Sequence, residues 1–261
     1  MDDRLQQEKI FHEAQAAQRQ LHWKMNPDHL LMQDENYLDH EPWVRPALAL
    51  LGELRGKRIL DFGCGHGMAS TLLARSGADV FAMDLSANFV HEAVTRALVN
   101  STNVQGFVAD GCRIPLRDHC LDGIWGVAIL HHLHVVKAAQ EIKRVLKPGG
   151  TAVFCEPWGG NPFLEWGRRN VPYVGKERTP DEKPLQEQDL LQLRNFFSNM
   201  QVKHVQLLGM LRRLWRKMPG LSLLDRWDYA LLRHHPSLRT WCRYVVICLN
   251  NDWHQRSNSM N

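Results

Sequence analysis

The stretch "RILDFGCGHGMAS", Arg58 to Ser70, decides how the rest of the chain is read. Arg58–Phe62 has the apolar run of a buried strand, broken by one acid, Asp61. Gly63, Gly65 and Gly67 follow at alternate positions, and "MASTLLARSG" then reads as a helix closed by Gly77. A strand, a glycine turn and a helix together present bare backbone N–H groups and let a ligand come close to the chain. The dinucleotide version of that turn follows G-x-G-x-x-G. Here the third glycine arrives one residue early, and Met68 stands where the dinucleotide pattern wants glycine. Asp61, at the end of the strand, would repel a pyrophosphate. The loop suits a ligand with no phosphate and a cationic head.

Working outward, strands and helices alternate. "ADVFAMD" (78–84), "VQGFVAD" (104–110), "LDGIWGV" (121–127) and "TAVFCE" (151–156) read as strands. "ANFVHEAVTRALV" and "VVKAAQEIKRVL" read as helices, the second ended by the stop signal Lys147-Pro148-Gly149-Gly150. Continuous apolar strands alternating with helices predict a doubly wound, mostly parallel sheet covered on both faces. Before it, Leu5, Ile10, Phe11, Ala14, Ala17 and Leu21 recur at helical spacing, predicting an amphipathic N-terminal helix packed by that face. After Pro157 the chain reads as a loop to about residue 183, then a helix (185–200), a strand (202–210), an Arg- and Trp-rich helical insert (211–239) and a last strand (240–250). The expected organisation is a helical cap (1–45), an α/β core (46–157), the remainder of the same domain (158–250) and a disordered polar tail (251–261).

S-adenosylmethionine meets the loop's requirement, since its ammonium and sulfonium are positive and it carries no phosphate. "LDFGCGHG" resembles motif I of class I S-adenosylmethionine-dependent methyltransferases, in the branch of quinone-biosynthesis and small-molecule enzymes. Asp84, ending "VFAMD", looks like that family's ribose-binding acid, with Leu85 beside it. Asp110, in "FVADG", looks like the acid that accepts from the adenine amino group, with Gly111 and Cys112 beside the ring. "LDGIWGVAILHHL" resembles the fourth-strand motif, with Gly126 and Val127 against the methionine half. The resemblance thus implies cofactor contacts from Asp61, Gly63, Cys64, Gly65, Gly67, Asp84, Leu85, Asp110, Gly111, Cys112, Gly126 and Val127. It implies one more from Tyr37, on a segment that covers the cofactor in relatives. The fold implied is Rossmann-like, a seven-stranded sheet whose last strand is antiparallel.

Methyl transfer needs alignment above all, and positioning can supply roughly 7–11 kcal/mol of the barrier. A base is needed only for a protonated nucleophile. His131 is a candidate base or a loop-orienting residue. His12 faces the substrate if its helix caps the pocket. Glu156, ending the fifth strand, is placed to bind a cationic or hydroxylated substrate. The run "HHLH" has metal-ligand chemistry, but no carboxylate cluster accompanies it, and no metal is expected.

The balance of 32 basic and 28 acidic residues gives +4, without the dense stripe of a nucleic-acid binder, so a small-molecule acceptor is expected and nucleic acid is not. Six cysteines without any C-x-x-C pair predict free thiols and a reducing, cytoplasmic setting. No apolar run reaches the ~18 residues of a membrane span. Two other readings stay open: a peripheral lipid or quinone enzyme, resting on "LLGMLRRLWRKMPGLSLLDRWDYALL" as an interfacial insert, and a non-catalytic subunit that keeps the fold. Oligomeric state is not legible.

Overall fold

The computed structural model describes residues 3–170, 183–213 and 221–252. β1 (Arg58–Phe62), β2 (Asp79–Asp84), β3 (Gln105–Val108), β4 (Leu121–Val127), β5 (Leu146–Pro157), β6 (Asn199–Val205) and β7 (Tyr244–Asn250) form one sheet, in the order β3-β2-β1-β4-β5-β7-β6. The pairs among β1 to β5 are parallel, and β7 is antiparallel to both β5 and β6. This is the Rossmann-like arrangement expected, with an antiparallel last strand.

The inner strands β1, β4, β5 and β7 are largely apolar because both faces are covered, and their period-two alternation sorts side chains between two cores, whereas the edge strands β3 and β6 are more exposed. Leu60, Phe62, Ile124 and Phe154 pack with Ala138 and Ile142 of α6 (Val135–Val145) and with Leu190 and Leu193 of α8 (Glu187–Arg194). Ile59, Trp125, Val153 and Cys155 pack on the other face. There they meet Leu73 of α4 (Met68–Arg75), Ala93 and Ala97 of α5 (Ala87–Val99), and Val44 and Ala47 of α3 (Val44–Leu48). Each fully buried large side chain, Trp125, Phe62 and Phe154 among them, contributes about 1.5–3 kcal/mol. The six cysteines are unpaired. Among the described residues, no helix is long and apolar enough to cross a membrane.

Several expectations need correcting. The N-terminal helix, α1 (Asp3–Met25), buries a different face from the one its apolar spacing implied. Ile10 and Leu21 are more than 60% exposed, and Ala14 and Ala17 also face solvent, whereas Glu8, Ala16 and Trp23 are buried. The reason is what α1 packs against: Trp23, Glu13 and Arg19 meet His91, Ala87 and Glu92 of α5, and the polar side chains Glu8, His12 and Gln15 border a cavity. The fifth strand, expected from Thr151, starts earlier: Leu146 already pairs with Leu121, so β5 begins as α6 ends and takes in the stop signal, with an irregular register at Leu121/Gly123. The stretch after Pro157 holds a helix, α7 (Pro162–Asn170), opened by Asn161, whose side chain accepts from the amides of Phe163 and Leu164. Asn before Pro is an N-cap followed by a favoured first-turn residue, a local signal the loop reading passed over.

β6 starts and ends earlier than expected. The 211–239 insert resolves into a 3-10 turn (Gly209–Arg213), α9 (Leu221–His234) and a second 3-10 turn (Pro236–Trp241). Residues 171–182, 214–220 and 253–261, the last covering most of the expected polar tail, lie outside the described residues.

Candidate active site

β1 lies between β2 and β4, so the strand order reverses there, and ligands of open α/β sheets bind at the C-terminal ends of such strands. A cavity of about 590 Å³ opens at that point. Its floor is the glycine loop. The amides of Gly63 and Cys64 both donate to the Met83 carbonyl at 2.9 Å, which clips the loop to the end of β2. Gly65 has φ +47°, and a Cβ there would meet nothing within 4 Å, because it would project into the cavity. Gly67 differs: a Cβ would stand 2.4 Å from the Ala93 backbone. It permits α4 and α5 to pack closely and does not border the cavity. Gly126, backed by the Phe154 ring, and Cys112 are also outside the lining.

The other residues expected to meet a cofactor do border it: Tyr37, Asp61, Gly63, Cys64, Gly65, Asp84, Leu85, Asp110, Gly111 and Val127. Each acid is held by short-range bonds. Asp84 accepts from the Gly65 amide at 3.0 Å and the Ser86 amide at 2.9 Å, and burial raises its pKa. Asp110 accepts from the Cys112 amide at 2.8 Å, so Cys112 orients the acid without lining the cavity. Asp61 accepts from the Ser70 hydroxyl on α4. Burial pushes its pKa up to about 7, and the nearby Asp84 charge adds to the shift. Tyr37 lies beside it, its hydroxyl accepting from Trp125 Nε1 at 2.8 Å, and burial holds the phenol well above its usual range.

Glu156 does not reach the cavity. It is fully buried. One carboxylate oxygen accepts from the Ile129 and Leu130 amides at 2.9 Å, and the other lies 2.7 Å from His131 Nδ1. The expected substrate-binding role therefore gives way to a structural one. A carboxylate at the end of β5 ties down the turn after β4, and His131 belongs to that tie. The neighbouring His132 faces the cavity instead.

The far wall comes from α1. Glu8, His12, Gln15 and Arg19 recur along one helical face and border the cavity, as do Asn36 and His40 around α2 (Asp34–Leu38). Glu13 accepts from the Ala87 amide at 2.7 Å and from Asn88 at 2.6 Å, at the start of α5. Arg19 forms a two-pronged pair with Glu92, at 2.7 and 3.2 Å. His66, facing Arg19 and Arg96, is held down to about 4 by burial and these cations, so its imidazole is neutral. Among the residues expected from the sequence, His12 on α1 and Tyr37 on α2 fall on this side. A polar stripe at 8, 12, 15 and 19 was the available signal. None of the described residues of α7 or α9 borders this cavity; α9 instead meets β6 and β7 around a smaller one of about 300 Å³.

A family model described as a methyltransferase domain matches residues 60–154. The demethylmenaquinone methyltransferase of Clavibacter sepedonicus is 34% identical over 115 residues, covering 44% of this chain and 46% of that protein. The malonyl-[acyl-carrier protein] O-methyltransferase of Herminiimonas arsenicoxydans is 31% identical over 142 residues, covering 51% and 52%. The chain thus spans about half the length of the curated relatives it matches. Geranyl diphosphate C-methyltransferase of Streptomyces coelicolor A3(2), solved with Mg2+, geranyl diphosphate and S-adenosyl-L-homocysteine, superposes with a TM-score of 0.55 at 20% identity, over 79% of this chain and 77% of that one. That last likeness is one of fold. The matched segment holds the glycine loop, all three strand-end acids and the β4 turn, and it is similar to the methyltransferase domains of those proteins.

Proposed function

We propose that the protein transfers a methyl group from S-adenosylmethionine to an oxygen or nitrogen, and with less support a carbon, of a small-molecule acceptor. The observation that carries this reading is the convergence of Asp61, Asp84 and Asp110 on one cavity floored by an open Gly65. The residues fit the cofactor. Asp61 suits its cationic head, Asp84 can accept from the ribose hydroxyls, and Asp110 can accept from the adenine amino group. When bound, the cofactor supplies an activated methyl on a sulfonium leaving group. The chain itself orients, excludes water and encloses, with α1 and the segment around Tyr37 as the cover. The retained acids favour a catalytic protein over a non-catalytic subunit.

Similarity to the malonyl-[acyl-carrier protein] O-methyltransferase, whose name gives the attacked atom, supports attack by oxygen in preference to nitrogen. Calorimetry with S-adenosylhomocysteine tests the cofactor half of this reading: micromolar binding is expected, and a preference for nicotinamide dinucleotides would overturn it. Transfer of labelled methyl from S-adenosylmethionine into fractionated metabolites identifies the acceptor.

A second reading, action at a membrane surface on a lipid or quinone, rests on exposed Phe163 and Trp166 of α7 and Leu223, Trp227 and Tyr229 of α9. Exposed aromatic and aliphatic side chains of this kind suit an interfacial contact. Co-sedimentation with anionic vesicles, lost in Trp166→Ala/Trp227→Ala, would favour it.

A further inference from the structure

The histidine run after β4 lacks a carboxylate in its own sequence neighbourhood, and the fold brings one from α1. Glu8 Oε2 lies 3.3 Å from His12 Nε2, one helical turn away, and 3.2 Å from His132 Nδ1. One ligand atom from each of the three residues falls within 4.8 Å of the others. All three side chains border the cavity, and they are mostly shielded, 5% (Glu8), 25% (His12) and 15% (His132) exposed.

Two chemistries could draw these groups together. A charge-assisted N–H···O bond closes to about 2.7–2.9 Å, as the buried His131–Glu156 pair does at 2.7 Å. Two ligands of a tetrahedral ion, at bond lengths of about 2.0–2.2 Å, stand about 3.3–3.6 Å apart. Both Glu8–histidine edges fall nearer the second spacing. The supports are stiff as well. Glu13 and Arg19 dock α1 on α5, and Glu156 ties the turn that carries His132. Two imidazoles and one carboxylate from the protein, with the remaining position open, is the composition of sites in which a divalent ion activates a bound oxygen.

We propose that Glu8, His12 and His132 bind one divalent cation of the zinc class, with its open coordination position toward the cavity. In the further step, which rests on the methyltransferase reading, an acceptor hydroxyl takes that position. The cation lowers its pKa, and the proton leaves to solvent, so the oxygen stands ready as the nucleophile.

The test uses tag-free, chelator-stripped full-length protein and Co(II) alone, with no cofactor, followed by visible absorption. A saturable one-to-one signal that Zn(II) displaces is expected. His12→Ala, His132→Ala and Glu8→Gln should each weaken it about 10-fold or more, whereas His22→Ala, exposed on the same helix, should leave it unchanged. Zn(II) should also raise the thermal transition of the wild type, and not of those variants, because a ligand bound only by the native state stabilises it. The proposal is overturned by the absence of a saturable signal, or by one that survives in both histidine variants. His12 and His132 sit on separate elements, so a folding defect in one variant, seen by circular dichroism, leaves the other to decide. Calorimetry with S-adenosylhomocysteine in metal-free buffer is read separately, so failure of the metal site and failure of the cofactor reading are distinguishable.

Discussion

The two long walls of the cavity are held by different forces. The glycine-loop wall is backbone: amides of Gly63 and Cys64 bound to Met83, and positive φ at Gly65. Its geometry follows from neighbouring strands of one sheet. The α1 wall is side chain: Glu13 on the start of α5 and Arg19 on Glu92, pairings across more than 70 residues of sequence. The first wall can be damaged only by adding atoms or changing an acid. The second can be loosened from outside the cavity. If the first holds the cofactor and the second the acceptor, affinity and turnover should respond separately.

The largest effect is expected from Gly65→Val. The added side chain would fill open cavity space, and calorimetry should detect no binding of S-adenosylhomocysteine. A β-branched residue at positive φ costs on the order of 1–2 kcal/mol locally, so the thermal transition should fall by several degrees without being lost. Loss of binding only together with the folding transition would make Gly65 structural, and the contrast between the walls would fail.

Next is Glu13→Ala, on the opposite wall. Glu13 does not border the cavity, yet it makes two charge-assisted bonds to the first turn of α5. Losing at least one such contribution, about 1.5 kcal/mol, loosens α1 by about 10-fold. Turnover should fall by about that factor while cofactor affinity stays within about threefold. Parallel losses would mean that α1 covers the cofactor itself.

The same contrast explains what could be read from the chain. Asp61, Asp84 and Asp110 were legible because each sits where an apolar run ends, and local pattern carries that information. Glu8, Gln15, Arg19, Asn36 and His40 were not, because their role depends on where α1 and α2 dock. The docking face of α1 ran against its hydrophobicity: Ile10 and Leu21 stayed outside, and Glu8 went in. Glu156 was recognised by position and misread in role, since its partners, the Ile129 and Leu130 amides, belong to a turn whose fold no spacing rule predicts. The Asn161-Pro162 cap, by contrast, is a purely local signal that the sequence carries in full.

Asp84→Ala should weaken cofactor binding about 10-fold, the loss of about 1.4 kcal/mol or more expected of a charged acceptor. Asp84 also holds the Gly65 amide, so this variant sharpens the picture of the first wall. Asp84→Asn, which keeps an acceptor for that amide, should recover part of the loss. If both variants lose affinity equally, the charge matters more than the loop contact; wild-type affinity in both would remove Asp84 from the site.

The smallest effect is a pH dependence confined to the first wall. Burial disfavours the charged form of Asp61 and pushes its pKa up to about 7. A cationic ligand head beside it favours the carboxylate, so binding must expel whatever proton Asp61 carries. Affinity should therefore drop as pH falls from 8 to 6, by about 10-fold at most for a single coupled group. Calorimetry in two buffers of different ionisation enthalpy should register proton release near pH 7. Stability of the empty protein runs the other way. A carboxyl whose folded pKa is raised contributes stability fully below the unfolded value, near 4, and loses that contribution as pH rises through about 7. Lower pH thus steadies this group in the empty fold while weakening its hold on the ligand. Asp61→Asn should abolish both trends together. A pH dependence of affinity that persists in Asp61→Asn would assign it to another group in the cavity and break the link between the buried acid and the cationic head.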